Sequence, residues 1–301
     1  MENRINLTDH FSLSRIIHGQ MRMNDWNMGN RQLLDLFKQL LNLGITTFDH
    51  ADIYGNYTCE ARLGEVMSLE KGLRNKLEIV TKCGIKLVSD KYPDRKVKYY
   101  DYSYDHIITS VNNSLKNFRT DRIDLLLLHR PAPFFDPEMA AKAFAGLKRD
   151  GKVLHFGVSN FTPLQFETLN SFTEEKLVTN QVEISPYCLE HFENGNIDFF
   201  LKEKIKPMAW SPVAGGRLLN PHDDKGPRIM RVLREVAGEL GVSPVDKVIY
   251  AWMLMHPVQM MPIVGTGKLE RIRYAVEALN LQLSLEQWYK IFIAVRGKEL
   301  P

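Results

Sequence analysis

Short runs of aliphatic and β-branched residues alternate along this chain with longer stretches whose apolar positions recur every three or four residues. The runs are RIIHG from Arg15, ITTFD from Ile45, LEIVTK from Leu77, RIDLLLLH from Arg122, VLHFGVS from Val153, LVTNQVE from Leu177, IKPMAWS from Ile205 and MMPIVG from Met260. Between the first two, RQLLDLFKQLLNLG sets Leu33, Leu34, Phe37, Leu40 and Leu41 at helical spacing and stops at Gly44. Strands that are apolar throughout and separated by helices belong to a parallel sheet covered on both faces. Eight such units predict an α/β fold, a (β/α)8 TIM barrel with a C-terminal helix. An open doubly wound sheet would carry a GxGxxG turn after its first strand, and HGQMRMNDW holds a single glycine.

Three pieces fall outside the repeat: a long connection at 88–104, a helix around 245–255 and a terminal helix from 284 to about 296. No linker or shift of composition divides the chain, so it reads as one barrel domain over 1–301. The composition, 44% hydrophobic and 25% charged, is that of a folded globular chain. A net charge of +3 with interspersed signs offers no nucleic-acid footprint. The N-terminus lacks an apolar leader core and no run approaches the ~18 residues of a membrane span, which predicts a cytoplasmic protein without a membrane partner. Cys59, Cys83 and Cys188 are scattered and unpaired in spacing, so neither a disulfide framework nor a metal clip is expected.

In a barrel of this kind the strand C-termini point into the active-site mouth. Those ends carry Asp49, Lys82, His129, Ser159 with Asn160, Gln181, and Trp210 with Ser211, while Tyr54 follows Asp49 in the loop above it. A tyrosine hydroxyl, with an ordinary pKa of ~10, is a weak acid near neutrality unless a cation favours its phenolate. Lys82 is positioned to be that cation, and Asp49 to keep Lys82 charged in a dry environment. His129 could hydrogen-bond a substrate oxygen or relay a proton to Tyr54.

The segments GITTFDHADIYG from Gly44, VTKCG from Val80, LLLLHRP from Leu125, GKVLHFGVSNF from Gly151, NQVEISPY from Asn180, AWSPVAGGRL from Ala209 and PIVGTGKLERI from Pro262 resemble, in order, the signatures of the aldo-keto reductases, most like a bacterial oxidoreductase branch. The resemblance implies a catalytic tetrad of Asp49, Tyr54, Lys82 and His129, with Tyr54 as general acid in reduction of a small carbonyl compound. It implies NADPH/NADP+ bound without a Rossmann domain, Asp49 lying beside it. Ser159, Asn160 and Gln181 would hold the carboxamide, and the nicotinamide would stack on Trp210, where the family often has Tyr. Ser211, Pro212, Val213, Gly216 and Arg217 would cover the pyrophosphate. Gly265, Thr266, Gly267, Lys268 and Arg271 would read the 2′-phosphate, by helix-terminal N–H groups and by charge. Tyr274 and Ala275 replace a Glu-Asn pair that often touches adenine.

Met21 and Arg22 lie in the first βα loop and are candidates for the cofactor; Trp26 in the same loop, with Tyr54 and His129, is a candidate for substrate. Phe134, Phe135 and Trp26 suggest an apolar pocket, with 87–103 among its walls. Asp52 reads as a loop or helix cap, His50 as a packed or solvent-facing residue, and Arg228, Arg231 and Arg234 as a solvated helix face. Two other functions compete. One is a dinucleotide-binding regulatory subunit, as a likeness to potassium-channel β subunits allows; the other is a metal-dependent hydrolase, which would need an HxH pair on the first strand that is not there. A monomer or weak homo-oligomer is expected.

Overall fold

The computed structural model describes residues 3–301. Its eight parallel strands are Ile17–Gly19, Thr47–Asp49, Glu78–Cys83, Ile123–Leu128, Val153–Ser159, Asn180–Glu183, Met208–Trp210 and Met261–Val264. Each lies beside its neighbour in sequence, and they close into a barrel. Seven fall inside the runs read from the sequence, most of them trimmed at their ends, and the third extends one residue beyond its run, to Cys83. None of the helices among the described residues is long and apolar enough to cross a membrane.

Packing divides the chain into two compact units, one of residues 18–180 with 265–267, the other of 3–17, 181–264 and 268–301. In the first, the third and fourth strands are buried almost throughout, as strands covered on both faces must be. The helix Asn30–Asn42 buries Leu33, Leu36, Phe37 and Leu40, and Phe37 meets Phe48 of the second strand edge-on at 4.9 Å. Phe144 of the helix Pro137–Arg149 stacks on Phe156 of the fifth strand at 4.2 Å.

The second unit contains elements the hydrophobic pattern does not announce. A hairpin of Arg4–Thr8 and Phe11–Ser14 precedes the first barrel strand. The guanidinium of Arg15 then donates to the carbonyls of Gln259 and Leu254, at 2.7 and 3.0 Å. The helices Asp246–Leu254 and Leu285–Arg296, close to their expected bounds, are joined by Trp252 and Trp288. Their rings stack at 5.0 Å, and each indole N–H donates to the other residue's carbonyl, so two large apolar surfaces are buried with no polar atom of the pair lost.

The interface between the third strand and the helices Cys59–Ser68 and Tyr104–Phe118 is unusually polar. Glu60 is buried and accepts hydrogen bonds from Thr81, Ser114 and Asn117. Asp52 is no helix cap: one carboxylate oxygen accepts from Ser110 at 3.0 Å, and the other is buried without a partner. Burial, reinforced by Glu60, pushes the Asp52 carboxyl up to about 8.

Two consequences can be measured. A Cβ on Gly64 would sit 2.1 Å from the carbonyl oxygen of Asn117, in backbone that cannot step aside. Gly64→Ala should therefore destabilise by about 1–3 kcal/mol, as overpacking does, although helix propensity alone favours alanine by ~1 kcal/mol; a more stable variant in urea melts would refute the close packing. Asp52 supplies a pH test. The unfolded chain ionises it near ~4, the folded one near 8, so rising pH between these values favours the unfolded state. The stability of Asp52→Asn relative to the parent should increase from pH 4.5 to 7.5, and an unchanged difference would show the carboxyl ionised in the fold.

Candidate active site

Strand register brings the ionisable residues together. Asp49 pairs with Val80, and Lys82 stands two residues beyond Val80; Lys82 pairs with Leu127, and His129 stands two beyond Leu127. Steps of two keep a side chain on the same face of a sheet. Asp49, Lys82 and His129 thus project to one side, each displaced by one step as the strands stagger around the barrel. His50 and Glu60 are excluded from that set: His50 packs edge-on against Phe118 of the covering helix at 5.2 Å.

The Lys82 ammonium is fully buried and saturated with acceptors. It donates to Asp49 Oδ1 and Oδ2 at 2.8 and 2.9 Å, to the His50 carbonyl at 2.7 Å and to the Tyr54 hydroxyl at 3.1 Å. Burial draws the amine's pKa down, but Asp49 and Tyr54 more than offset it, so Lys82 stays charged with a raised value. The Tyr54 phenol is also raised, by burial first, with Lys82 pulling it back. Burial therefore outweighs the cation expected to dominate, and Tyr54 rests in its protonated form. His129 meets the Tyr54 ring edge-on at 6.0 Å. Burial, then the charges of Lys82, Arg130 and Lys98, hold His129 well below its usual range, and its buried Nδ1 has no hydrogen-bond partner. The site is a charged amine locked to a carboxylate, a protonated phenol on the amine, and a neutral imidazole. That set can deliver a proton to an oxygen and stabilise what the phenol leaves behind.

Other candidates take varied places. Ser159 is buried at the end of the fifth strand and Asn160, with φ 63°, donates to its hydroxyl at 2.8 Å. Gln181 is buried at the start of the sixth strand, its amide nitrogen 3.8 Å from Met208 Sδ. Trp210 and Ser211 end the seventh strand, Ser211 with φ 54°, and Pro212 to Arg217 continue into a tight turn in which Ala214 and Gly216 are also left-handed. Arg217 lies over the ring of Tyr187 at 4.6 Å. Met21 and Arg22 are exposed, whereas Trp26 packs 5.3 Å from His18 and against Gly267, where a Cβ would sit 2.8 Å from the indole. His18 donates from Nε2 to the Thr266 carbonyl at 3.0 Å and faces Gln20 through Nδ1; burial draws its pKa down to about 4, against the opposing pull of the Thr266 bond. Lys268 precedes the helix Leu269–Glu277, and Arg271 in its first turn bonds Asp246 Oδ1 through Nη2 and Nε, at 3.0 and 3.3 Å.

Several expectations change. Phe134 is 97% exposed and so lines no apolar pocket, and Phe135 packs edge-on to Tyr102 and Phe161. Residues 87–95 contact the turn after Tyr54 instead of forming only a pocket wall. The sequence reading missed Tyr102, whose ring covers Gly84 and whose hydroxyl donates to the Arg130 carbonyl and accepts from the Arg130 N–H, fixing the chain beyond His129. It also missed Asn180, fully buried, donating to the Phe161 carbonyl and leaving its own amide oxygen unpartnered.

Residues 15–295 match the Aldo/keto reductase family. An uncharacterised oxidoreductase of Bacillus subtilis is 49% identical over 298 residues, 99% of each chain. A 6-dehydroglucose reductase of Agrobacterium fabrum is 41% identical over 298 residues, again 99% of each chain. Among solved structures, a glycerol dehydrogenase of Gluconobacter oxydans superposes with a TM-score of 0.83 at 21% identity, over 98% of this chain and 95% of that one, and so shares its fold. With the barrel, the ordered motifs and these full-length relatives agreeing, the chain belongs to the aldo/keto reductase family and is an oxidoreductase.

Proposed function

We propose that this protein reduces aldehydes or ketones to alcohols with NADPH, and that Tyr54 is the general acid. One observation carries the reading: the buried Lys82 ammonium is bonded at once to both oxygens of Asp49 and to the Tyr54 hydroxyl. NADPH, when bound, supplies the hydride. The chain's own residues manage the proton. The Tyr54 O–H donates to the oxygen of the substrate carbonyl as charge develops there; Lys82 stabilises the resulting phenolate, and Asp49 keeps Lys82 ionised and aimed. Neutral His129 donates a hydrogen bond to the same oxygen and orients it, a role that an imidazole with a free nitrogen in a dry site can fill. The likeness to a 6-dehydroglucose reductase at 41% identity supports an oxidised sugar as one substrate class.

The residues present suit the cofactor. Ser159, Asn160 and Gln181 offer amide and hydroxyl partners for a carboxamide, and Trp210 offers a π face. Lys268, the first-turn N–H groups of Leu269–Glu277 and the Arg271 fork form an anion-seeking donor set. Asp246 holds that fork in one orientation, so a 2′-phosphate would meet an arginine already placed.

Turnover tests the reading. Tyr54→Phe should leave the fold and NADPH binding intact and reduce the rate on a reactive aromatic aldehyde by at least ~100-fold, the low end of general-acid effects. A variant that still turns over normally would remove Tyr54 from the chemistry, and a parent protein that binds NADPH without turnover would be a regulatory subunit. Arg271→Ala should weaken NADPH binding about ten- to a hundredfold, for a charge-assisted bond of about 1.5–3 kcal/mol, and leave NADH binding almost unchanged. Equal losses for both cofactors, measured by fluorescence titration, would show that Arg271 does not read the phosphate.

A further inference from the structure

The chain that follows Tyr54 is left-handed over three consecutive residues: Gly55 (φ 57°, ψ 36°), Asn56 (φ 55°, ψ 52°) and Tyr57 (φ 64°). Glycine is required at the first, because a Cβ there would sit 2.4 Å from Asn24 Nδ2 and 2.6 Å from Cys59 Sγ. Asparagine tolerates this region; a bulky aromatic is an outlier in it. Such backbone persists only where its surroundings over-determine it.

Around the two non-glycine residues the side-chain contacts come from one segment, 87–95, between the strands of the small hairpin Ile85–Lys86 and Tyr99–Tyr100. The Tyr57 hydroxyl accepts from the Leu87 N–H at 3.1 Å and from Arg95 Nη1 at 3.0 Å. The Arg95 guanidinium lies 3.6 Å over the centre of the Tyr92 ring, and Tyr92 meets Tyr57 edge-on at 5.0 Å. Asn56 donates to Asp90 at 2.7 Å. Both non-glycine residues of the left-handed turn are therefore gripped by the same segment, and the grip falls two and three residues from the Tyr54 hydroxyl's own Cα.

We propose that Arg95 and Tyr57 are positioning residues for the reaction: the segment 87–95 clasps the left-handed turn and so sets the distance between the Tyr54 hydroxyl and Lys82. The proposal rests on the reading of Tyr54 as general acid. With the clasp open, Asn56 and Tyr57 relax toward right-handed backbone, Tyr54 swings with them, and the 3.1 Å bond to Lys82 is lost. Neither clasp residue touches the reacting atoms. Their effect is on geometry, to which proton transfer is sensitive at the level of an ångström.

The test compares Arg95→Ala, Tyr57→Phe and Tyr54→Phe as full-length proteins, with NADPH and a reactive aromatic aldehyde. In Arg95→Ala, kcat should fall about ten- to a hundredfold, an ångström-scale misplacement, while KM and NADPH affinity stay within about twofold. Tyr57→Phe, which keeps the ring and loses the gripped hydroxyl, should show a smaller fall of the same kind. The pH at which Tyr54 loses its proton, read from the pH dependence of kcat, should move upward in both, since a phenol farther from Lys82 loses the cation's pull. Should Arg95→Ala fail to fold, Tyr57→Phe decides alone. Normal kcat in the folded clasp variants, with Tyr54→Phe inactive, overturns the clasp and leaves the general acid standing. A drop in kcat with an unmoved pH profile assigns the segment to stability and overturns it too. A fully active Tyr54→Phe overturns the reading beneath it.

Discussion

The buried bond between Lys82 and Asp49 is the constraint around which the rest of this barrel mouth is arranged. An ammonium with no exposed surface survives only if every proton has an acceptor, and here Asp49, the His50 carbonyl and Tyr54 supply them. Such a pair adds little net stability, because desolvation consumes most of the Coulombic gain, yet breaking it costs about 3–5 kcal/mol by stranding one charge. Removing Lys82 would thus leave the buried Asp49 carboxylate without the ammonium that balances its charge, and any loss of activity would be mixed with loss of fold. Tyr54 is the cleaner position: its hydroxyl is one acceptor among several, so its absence leaves the pair intact.

The pair also explains the protonation states around it. One positive charge in a dry site drives neighbouring bases neutral, and His129 and His50, both buried, are each held well below the usual imidazole range by burial first and then by Lys82. The two histidines nevertheless differ in access to chemistry. His129 lies on the face shared with Lys82, while His50 faces Phe118 and has neither ring nitrogen partnered. A single step along a strand separates the reactive face from the packed one.

Much of this was legible in the chain itself. The eight strands are continuous apolar runs, and the periodic helices between them carry recognisable stops, so the barrel follows from pattern alone. The place of Asp49 at a strand end was readable too, whereas His50 stayed open between a packed and a solvent-facing position until the structure set it against Phe118. Other features leave no periodic trace. The hairpin strands Ile85–Lys86 and Tyr99–Tyr100 are two residues each, too short to alternate. The grip of Arg95 on Tyr57 joins residues whose spacing in sequence corresponds to no local motif, and the aromatic and charged residues of 87–103 look the same whether they line a pocket or hold a turn. Phe134 and Phe135 illustrate the same ambiguity, one solvated and the other packed.

Many of the strained or desolvated groups share a position. Within 49–60 the chain accumulates a buried ion-pair partner, a histidine with two unpaired nitrogens, a carboxyl pushed up to about 8, three left-handed residues and a buried glutamate. On the helix Asn30–Asn42, by contrast, local preference and tertiary packing agree, with Leu33, Leu36, Phe37 and Leu40 on one face. Sequences that fold well are consistent across levels, and departures gather where function demands them. Four of these five departures are held from outside the segment: Lys82 and Thr81 on the third strand, Ser110 and Ser114 on the covering helix, and Arg95 between the hairpin strands. The placement of Tyr54 is therefore set by the elements around it and not by the short peptide that carries it.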